Sequence, residues 1–246
     1  MMLSVIIPAK NEQRYLQRLL ESLKQQSLQP SQIIIADAQS KDKTISLAKR
    51  YGCAIVKGGF PSVGRNRGAS IAKGKWLLFL DADTLLINKG FLKNMIAYLQ
   101  KKEIDLALFD NIPVYKENEK GYASRMIRIA DALIYFFHNT AQKVFSATPF
   151  PFGTGTGIVC SNALFKKTQF DERIEAFEDC DFITRASWHG KLRVIPRTLC
   201  SLGVSTRRYD KKGRIFFPVK IAFAGLIGRF LVGRSCGRGY FKNAKS

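Results

Sequence analysis

Over its first 110 residues the chain alternates short apolar, β-rich runs with longer stretches whose apolar residues recur at helical spacing. That rhythm limits the fold more than any other feature of the sequence. The apolar runs fall at 4–8, 33–36, 54–56, 76–80 and 105–109. Between them lie 12–26 (apolar at Leu16, Leu19, Leu20 and Leu23), 43–51, 63–72 and 91–100. Strands that are apolar without interruption are covered on both faces. The alternation therefore predicts βαβ units in an α/β fold, with a central, mostly parallel sheet flanked by helices. In such sheets ligands collect at the carboxyl ends of strands, where strand order reverses. Most of the polar clusters described below fall at such ends.

A length of 246 residues and 46% hydrophobic content suit one large domain, or a domain with an appendage. Five cysteines (Cys53, Cys160, Cys180, Cys200, Cys236) follow no paired spacing. This argues for reduced thiols in a cytosolic compartment, and against a disulfide framework or a zinc site. The first residues read as a strand, not as a signal peptide, and no uncharged run reaches the ~18–20 residues of an ordinary membrane span. Residues 122–145 have a helical pattern, with Met126, Ala130, Leu133, Phe137, Ala141 and Val144 on one face. Residues 146–157 (SATPFPFGTGTG) form a Pro/Gly-rich loop suited to a lid or substrate loop, or to a plain surface connection.

The carboxylates carry the chemistry. Asp81 and Asp83 close the apolar run WLLFL, so both can turn to one ligand just past a strand. Paired carboxylate oxygens suit a hard divalent cation that draws its other ligands from water and phosphate. Asp37 ends the second strand and can accept hydrogen bonds from a base or ribose, whereas Asp42 is read as capping the next helix. Glu178, Asp179 and Asp181 open a helix closed by Gly190. The helix terminus favours ionised acids there and the clustering opposes it. One ionised carboxylate facing the metal pair would serve as a general base. His138, set among aromatics, and His189, at a helix end, are read as packed and capping residues.

Taken together, SVIIPAKNE, ADAQSKDKT, GRNRGAS, AKGKWLLFLDADT and FEDCDFITRASWHGKLRVIP resemble the segments of family 2 glycosyltransferases with the GT-A fold. The similarity runs over about the first 210 residues. STRRYDKKG further resembles the S-x-R-R-aromatic segment of non-processive members. The resemblance implies that Pro8, Ala9, Glu12 and Asp37 line the nucleotide pocket, and that Arg65 and Asn66 border the diphosphate and sugar. It makes Asp81 and Asp83 the metal pair for Mn2+ or Mg2+, with Asp83 the more direct ligand and Asp81 also lining the substrate site. Asp179 matches the general base beside Glu178, and Arg207 and Arg208 would steady the diphosphate. The implied reaction is sugar transfer from a UDP- or GDP-type donor with inversion. Where the family pattern reads D-D-G-S this chain has Asp37-Ala38-Gln39-Ser40, and Tyr209 stands where Trp is usual.

The formal charge of +21 recruits polyanions. From Arg207 onward there are eleven Lys or Arg against one acid, Asp210, mixed with Phe, Ile and Leu. The chain thus divides into a catalytic domain, 1–212, and a basic apolar segment, 213–246. Lys220 and Arg229 interrupt 215–232, which favours a segment lying in an anionic membrane interface over a simple span. An acceptor such as a polyprenyl phosphate or glycolipid follows, with the protein peripheral on the cytoplasmic face of the membrane. A sugar-phosphate nucleotidyltransferase would need a glycine-rich loop after the first strand, where this chain has AKNEQRYL. No motif for specific nucleic-acid recognition is present. A catalytically silent binding relative would not need Asp81, Asp83 and Asp179 together.

Overall fold

The computed structural model describes residues 2–115 and 125–207. Arg208 and the segment 213–246 lie outside the described residues, as does the boundary drawn between the two parts.

The N-terminal half follows the predicted rhythm. Strand β1 (Leu3–Ala9) pairs in parallel with β2 (Gln32–Asp37) on one side and with β4 (Trp76–Leu80) on the other, and β2 pairs with β3 (Ala54–Lys57). The order β3-β2-β1-β4 places the reversal of strand order between β1 and β4. Beyond β4 the sheet becomes mixed. β7 (Gly157–Ser161) runs antiparallel to β4 and to β6 (Leu106–Val114). β8 (Leu192–Ile195) and β9 (Ser201–Ser205) lie parallel to different parts of β6, and β5 (Thr84–Leu86) pairs antiparallel with β9.

Side chains alternate across the sheet, so β1 feeds two cores. Val5 and Ile7 face α1 (Gln13–Lys24) and α4 (Phe91–Lys102), through Leu16, Leu20, Met95 and Leu99. Ile6 faces the other layer, with Phe79, Phe165, Phe170 and Phe182, the last on α7 (Glu178–Ser187). Burying each such side chain is worth about 1.5–3 kcal/mol, which fixes strand register, because a one-residue slip would exchange the two cores. Helices α2 (Thr44–Arg50) and α6 (Asn162–Thr168) complete the layers.

Helix α3 (Pro61–Ser70) begins with proline in its first turn, where the missing N–H costs nothing. Its fit against β1 depends on Gly68, since a Cβ there would collide with Cγ2 of Ile6. That close approach sets Arg65 at the sheet's carboxyl edge.

Helix α5 (Arg125–Phe145) buries the face opposite its apolar stripe. A helix forms as predicted, but the residues it buries are Asp131, Tyr135, Asn139 and Gln142. The apolar stripe, Met126, Leu133, Phe137 and Val144 included, is exposed. The reason lies in β6. The side-chain amide of Asn139 accepts from Asn111 N–H at 3.0 Å and donates to Asn111 C=O at 2.9 Å. Gln142 donates to Phe109 C=O at 3.0 Å. These amides serve backbone groups that a neighbouring strand would otherwise satisfy, and this turns the polar face inward.

Candidate active site

Asp81 and Asp83 occupy the turn between β4 and β5, held by the Thr84 N–H and hydroxyl, which donate to Asp81 C=O at 3.1 and 2.8 Å. Because β9 pairs with β5, it delivers Arg207 to the same place. Arg207 Nε donates to Asp83 at 3.1 Å, and its two terminal nitrogens grip Glu12 at 2.8 and 2.6 Å. The guanidinium also stacks over the Tyr15 ring, 4.2 Å from its centroid. Burial opposes the charge on Arg207, but Glu12 and Asp83 outweigh it and hold the group more firmly protonated than usual.

Arg65 is the second link. Its side chain is only 2% exposed; one arm reaches Asp81 at 3.0 Å and the other Glu178 at 2.6 Å. Burial alone would drain its charge, yet Glu178, Asp81 and Asp179 together keep it protonated. A bidentate guanidinium thus ties the end of β4 to the start of α7.

Asp179 lies in that first turn of α7, after Phe177, whose φ of 63° is unusual for a bulky residue. Its two oxygens accept from the N–H groups of Gly155 and Cys180. Burial, and then the neighbouring Glu178 carboxylate, push the Asp179 carboxyl up to about 7, against the pull of Arg65 and the two N–H groups. Such a group can exchange a proton near neutrality. The loop that supplies Gly155 is braced by Asn111, which donates to Thr154 at 3.2 Å and accepts from Thr156 at 3.1 Å. A Cβ on Gly155 would land on Arg65 Nη2, so only glycine fits between Arg65 and Asp179.

Other residues singled out in the sequence are placed as follows. Asp37 ends β2; one oxygen accepts from Ser40 N–H at 3.0 Å, while the other is buried without a partner. Gln39 follows with φ of 60°, the conformation in which glycine is favoured. Asp42 accepts from Thr44 N–H at 3.0 Å and from Gln13 N–H at 3.1 Å, tying the starts of α2 and α1 together, while Lys43 holds the N-cap position of α2 itself. Pro8 and Ala9 stand at the carboxyl end of β1. Asn66 is not brought to the carboxylates: its amide is taken by Phe170 N–H and C=O and by Glu172. His138 is packed on Phe152, and burial lowers its pKa to about 4. The Tyr15 stack and the Asn111–Thr154–Thr156 brace escaped the sequence. Only the spacing of Tyr15 one helical turn after Glu12 hinted at the first.

Among the described residues no three His, Cys, Asp or Glu side chains come together as a cation site. A cation at Asp81 and Asp83 would therefore take its remaining ligands from phosphate and water. Mg2+ and Mn2+ accept one or two hard carboxylates with oxygen ligands of that kind, so the donor set fits.

A parallel half-sheet whose strand order reverses at β1/β4, continued by the mixed strands beyond β4, is the architecture of a GT-A fold, and the paired acids lie at the end of β4. Residues 4–172 match the profile described as "Glycosyl transferase family 2", and the chain belongs to that family. The poly(ribitol-phosphate) β-N-acetylglucosaminyltransferase TarS of Staphylococcus aureus is 25% identical over 196 residues, covering 76% of this chain and 32% of that protein. The crystal structure of S. aureus TarS 1–349 is similar with a TM-score of 0.63 at 24% identity, covering 84% of this chain and 61% of that one. A complex of TarS 1–349 with UDP-GlcNAc gives a TM-score of 0.59 at 23% identity, covering 83% and 58%. The mannosyltransferase PcManGT of Pyrobaculum calidifontis, in complex with GDP-Man and Mn2+, gives 0.61 at 18%, covering 81% and 56%. The chain thus spans about a third of the length of the curated TarS relative.

Proposed function

We propose that the protein is an inverting glycosyltransferase that moves a sugar from a nucleoside-diphosphate sugar to an acceptor hydroxyl or phosphate. The observation that carries this reading is the single guanidinium of Arg65 joining Asp81 to Glu178, which sets the strand-end acids and Asp179 around one space. Asp179 takes the acceptor proton as the acceptor oxygen attacks the anomeric carbon. The bond from that carbon to the diphosphate breaks, and its electrons leave with the nucleoside diphosphate. Arg207, with Arg208, stabilises the negative charge that develops there. Asp83, assisted by Asp81, holds a divalent cation, Mn2+ or Mg2+, which when bound neutralises charge on the departing phosphates.

Pro8, Ala9 and Asp37 line the nucleotide pocket, and the unpartnered oxygen of Asp37 is available to a base N–H or ribose hydroxyl. A UDP-type donor is favoured by the TarS complex with UDP-GlcNAc, with GDP the other choice. The basic, apolar composition of 213–246 supports a membrane-presented acceptor, such as a polyprenyl phosphate or glycolipid, and a peripheral place on an anionic membrane face. None of the described helices is long and apolar enough to cross a membrane.

The test is a thermal-shift screen of nucleotide-sugars with and without Mn2+ or Mg2+, on wild type and Asp83→Ala. A metal-dependent rise in Tm with one donor, lost in Asp83→Ala, is expected. A shift that persists in the variant, or needs no metal, overturns the metal assignment.

A further inference from the structure

From the reversed polarity of α5 we infer that its outward face is a docking surface for an anionic lipid bilayer, distinct from the basic segment at the end of the chain. Met126, Leu133, Phe136, Phe137 and Val144 are 76%, 52%, 62%, 66% and 60% exposed, while Asp131 on the same helix is 0% exposed. Apolar positions this open, repeated along a 21-residue helix, are not the scattered exceptions of an ordinary soluble surface. They cannot rotate inward, because Asn139 and Gln142 are already committed to the backbone of β6.

Charge chooses the occupant. Between residues 125 and 152 the one acid is Asp131, which is buried, whereas Arg125, Arg128 and Lys143 are exposed. Lys143 reaches Asp110 at 2.6 Å but keeps 48% of its side chain in solvent. Among the described residues the stripe is rimmed by cations, which disfavours as occupant both the basic segment 213–246, with its seven Lys and Arg, and a second copy carrying +21. It attracts anionic headgroups while its Phe side chains enter the acyl boundary. The turn after α5 continues the surface: Phe150 is 60% exposed, and Trp188, 59% exposed, donates to Pro149 C=O at 3.0 Å. That turn leads into Gly155, which holds Asp179. A docked α5 therefore presents the base to whatever the membrane carries. The purpose of this surface rests on the reading of a membrane-borne acceptor; its detection does not.

The experiment uses the full chain with vesicles of phosphatidylglycerol and phosphatidylcholine, against phosphatidylcholine alone, in a flotation assay. Wild type and a Phe136→Ser, Phe137→Ser double variant are compared. The two substituted side chains lie mostly in solvent, so the variant is expected to keep its Tm. The chain has two tryptophans, and Trp76 is only 6% exposed, so lipid contact at Trp188 is read directly from emission. Wild type should float with the anionic vesicles and less so at high salt. Its emission should shift to the blue and be quenched by brominated lipid. The variant should partition about tenfold or more weakly. Wild type that fails to float overturns the proposal. So does a variant that binds equally well with Trp188 unquenched, or a dimer that the variant dissolves. Docking lost in the variant, in a protein whose wild type binds no nucleotide-sugar, would leave the surface standing and remove the transferase reading.

Discussion

Asp179→Asn separates the stability of this site from its activity. In the folded protein the Asp179 carboxyl sits at about 7, against 3.8 for the free side chain. Between those values the native state binds a proton that the unfolded chain has released. The resulting stability is full below pH 4 and is lost as pH rises through about 7. From pH 5 to pH 8 the full effect at 1.36 kcal/mol per pH unit is roughly 2.7 kcal/mol. Asp179 is mostly but not fully buried, so residual solvent screening reduces this to about 1–1.5 kcal/mol. Asparagine cannot ionise, and it offers one acceptor to the two N–H groups of Gly155 and Cys180. At pH 5 the variant should therefore be slightly less stable than wild type. By pH 8 it should have gained on wild type by about 2–6 °C in Tm. The assay is thermal denaturation of both proteins across that range, alongside the pH dependence of sugar transfer. Wild-type turnover should rise with pH through about 7, and the variant should be almost inactive. A difference in Tm that stays flat from pH 5 to 8 would refute the elevated carboxyl, and with it the argument for Asp179 as the proton acceptor.

Two other substitutions test how the site is held. Arg65→Met leaves Glu178 and Asp81 without their buried counter-ion, and chemical denaturation should show a loss of about 3–5 kcal/mol; a loss under 1 kcal/mol would mean that water reaches the triad. Gly155→Ala should lower Tm modestly, lower kcat by tenfold or more and raise the KM for donor in a transfer assay, because the added methyl collides with Arg65, which holds Asp81 and Glu178.

The N-terminal half could be read from the sequence because its strands are apolar on both faces and its helices are regularly amphipathic. Trp76–Leu80 matches its predicted range, and β1 to β3 differ from theirs by a residue or two at the ends. β5, β7, β8 and β9 carried no such signal. They are three to five residues long, and their pairing is set by distant partners. For α5 the period was legible and the direction was not: a periodic stripe reports two unlike faces, and only Asn139 and Gln142 reaching β6 decides which one is buried. At the site, Asp81, Asp83 and Asp179 were visible as acids at element ends. The burial of Arg65 between them depends on Gly68 and Gly155, whose importance is steric and appears only when α3 and the 146–157 loop meet the sheet.

Arg207 gives the pocket an ion-exchange character. Its guanidinium already bridges Glu12 and Asp83, one positive charge shared by two carboxylates, so a divalent cation approaching Asp83 alone competes with a resident charge and offers Arg207 nothing in return. A diphosphate arriving with the cation changes the balance, because the released arginine finds new oxygens at once. Metal and donor should then each tighten the binding of the other by the same factor, as reciprocal linkage requires. If the proposed function holds, free Mg2+ without nucleotide-sugar would leave this site latched by its own side chain.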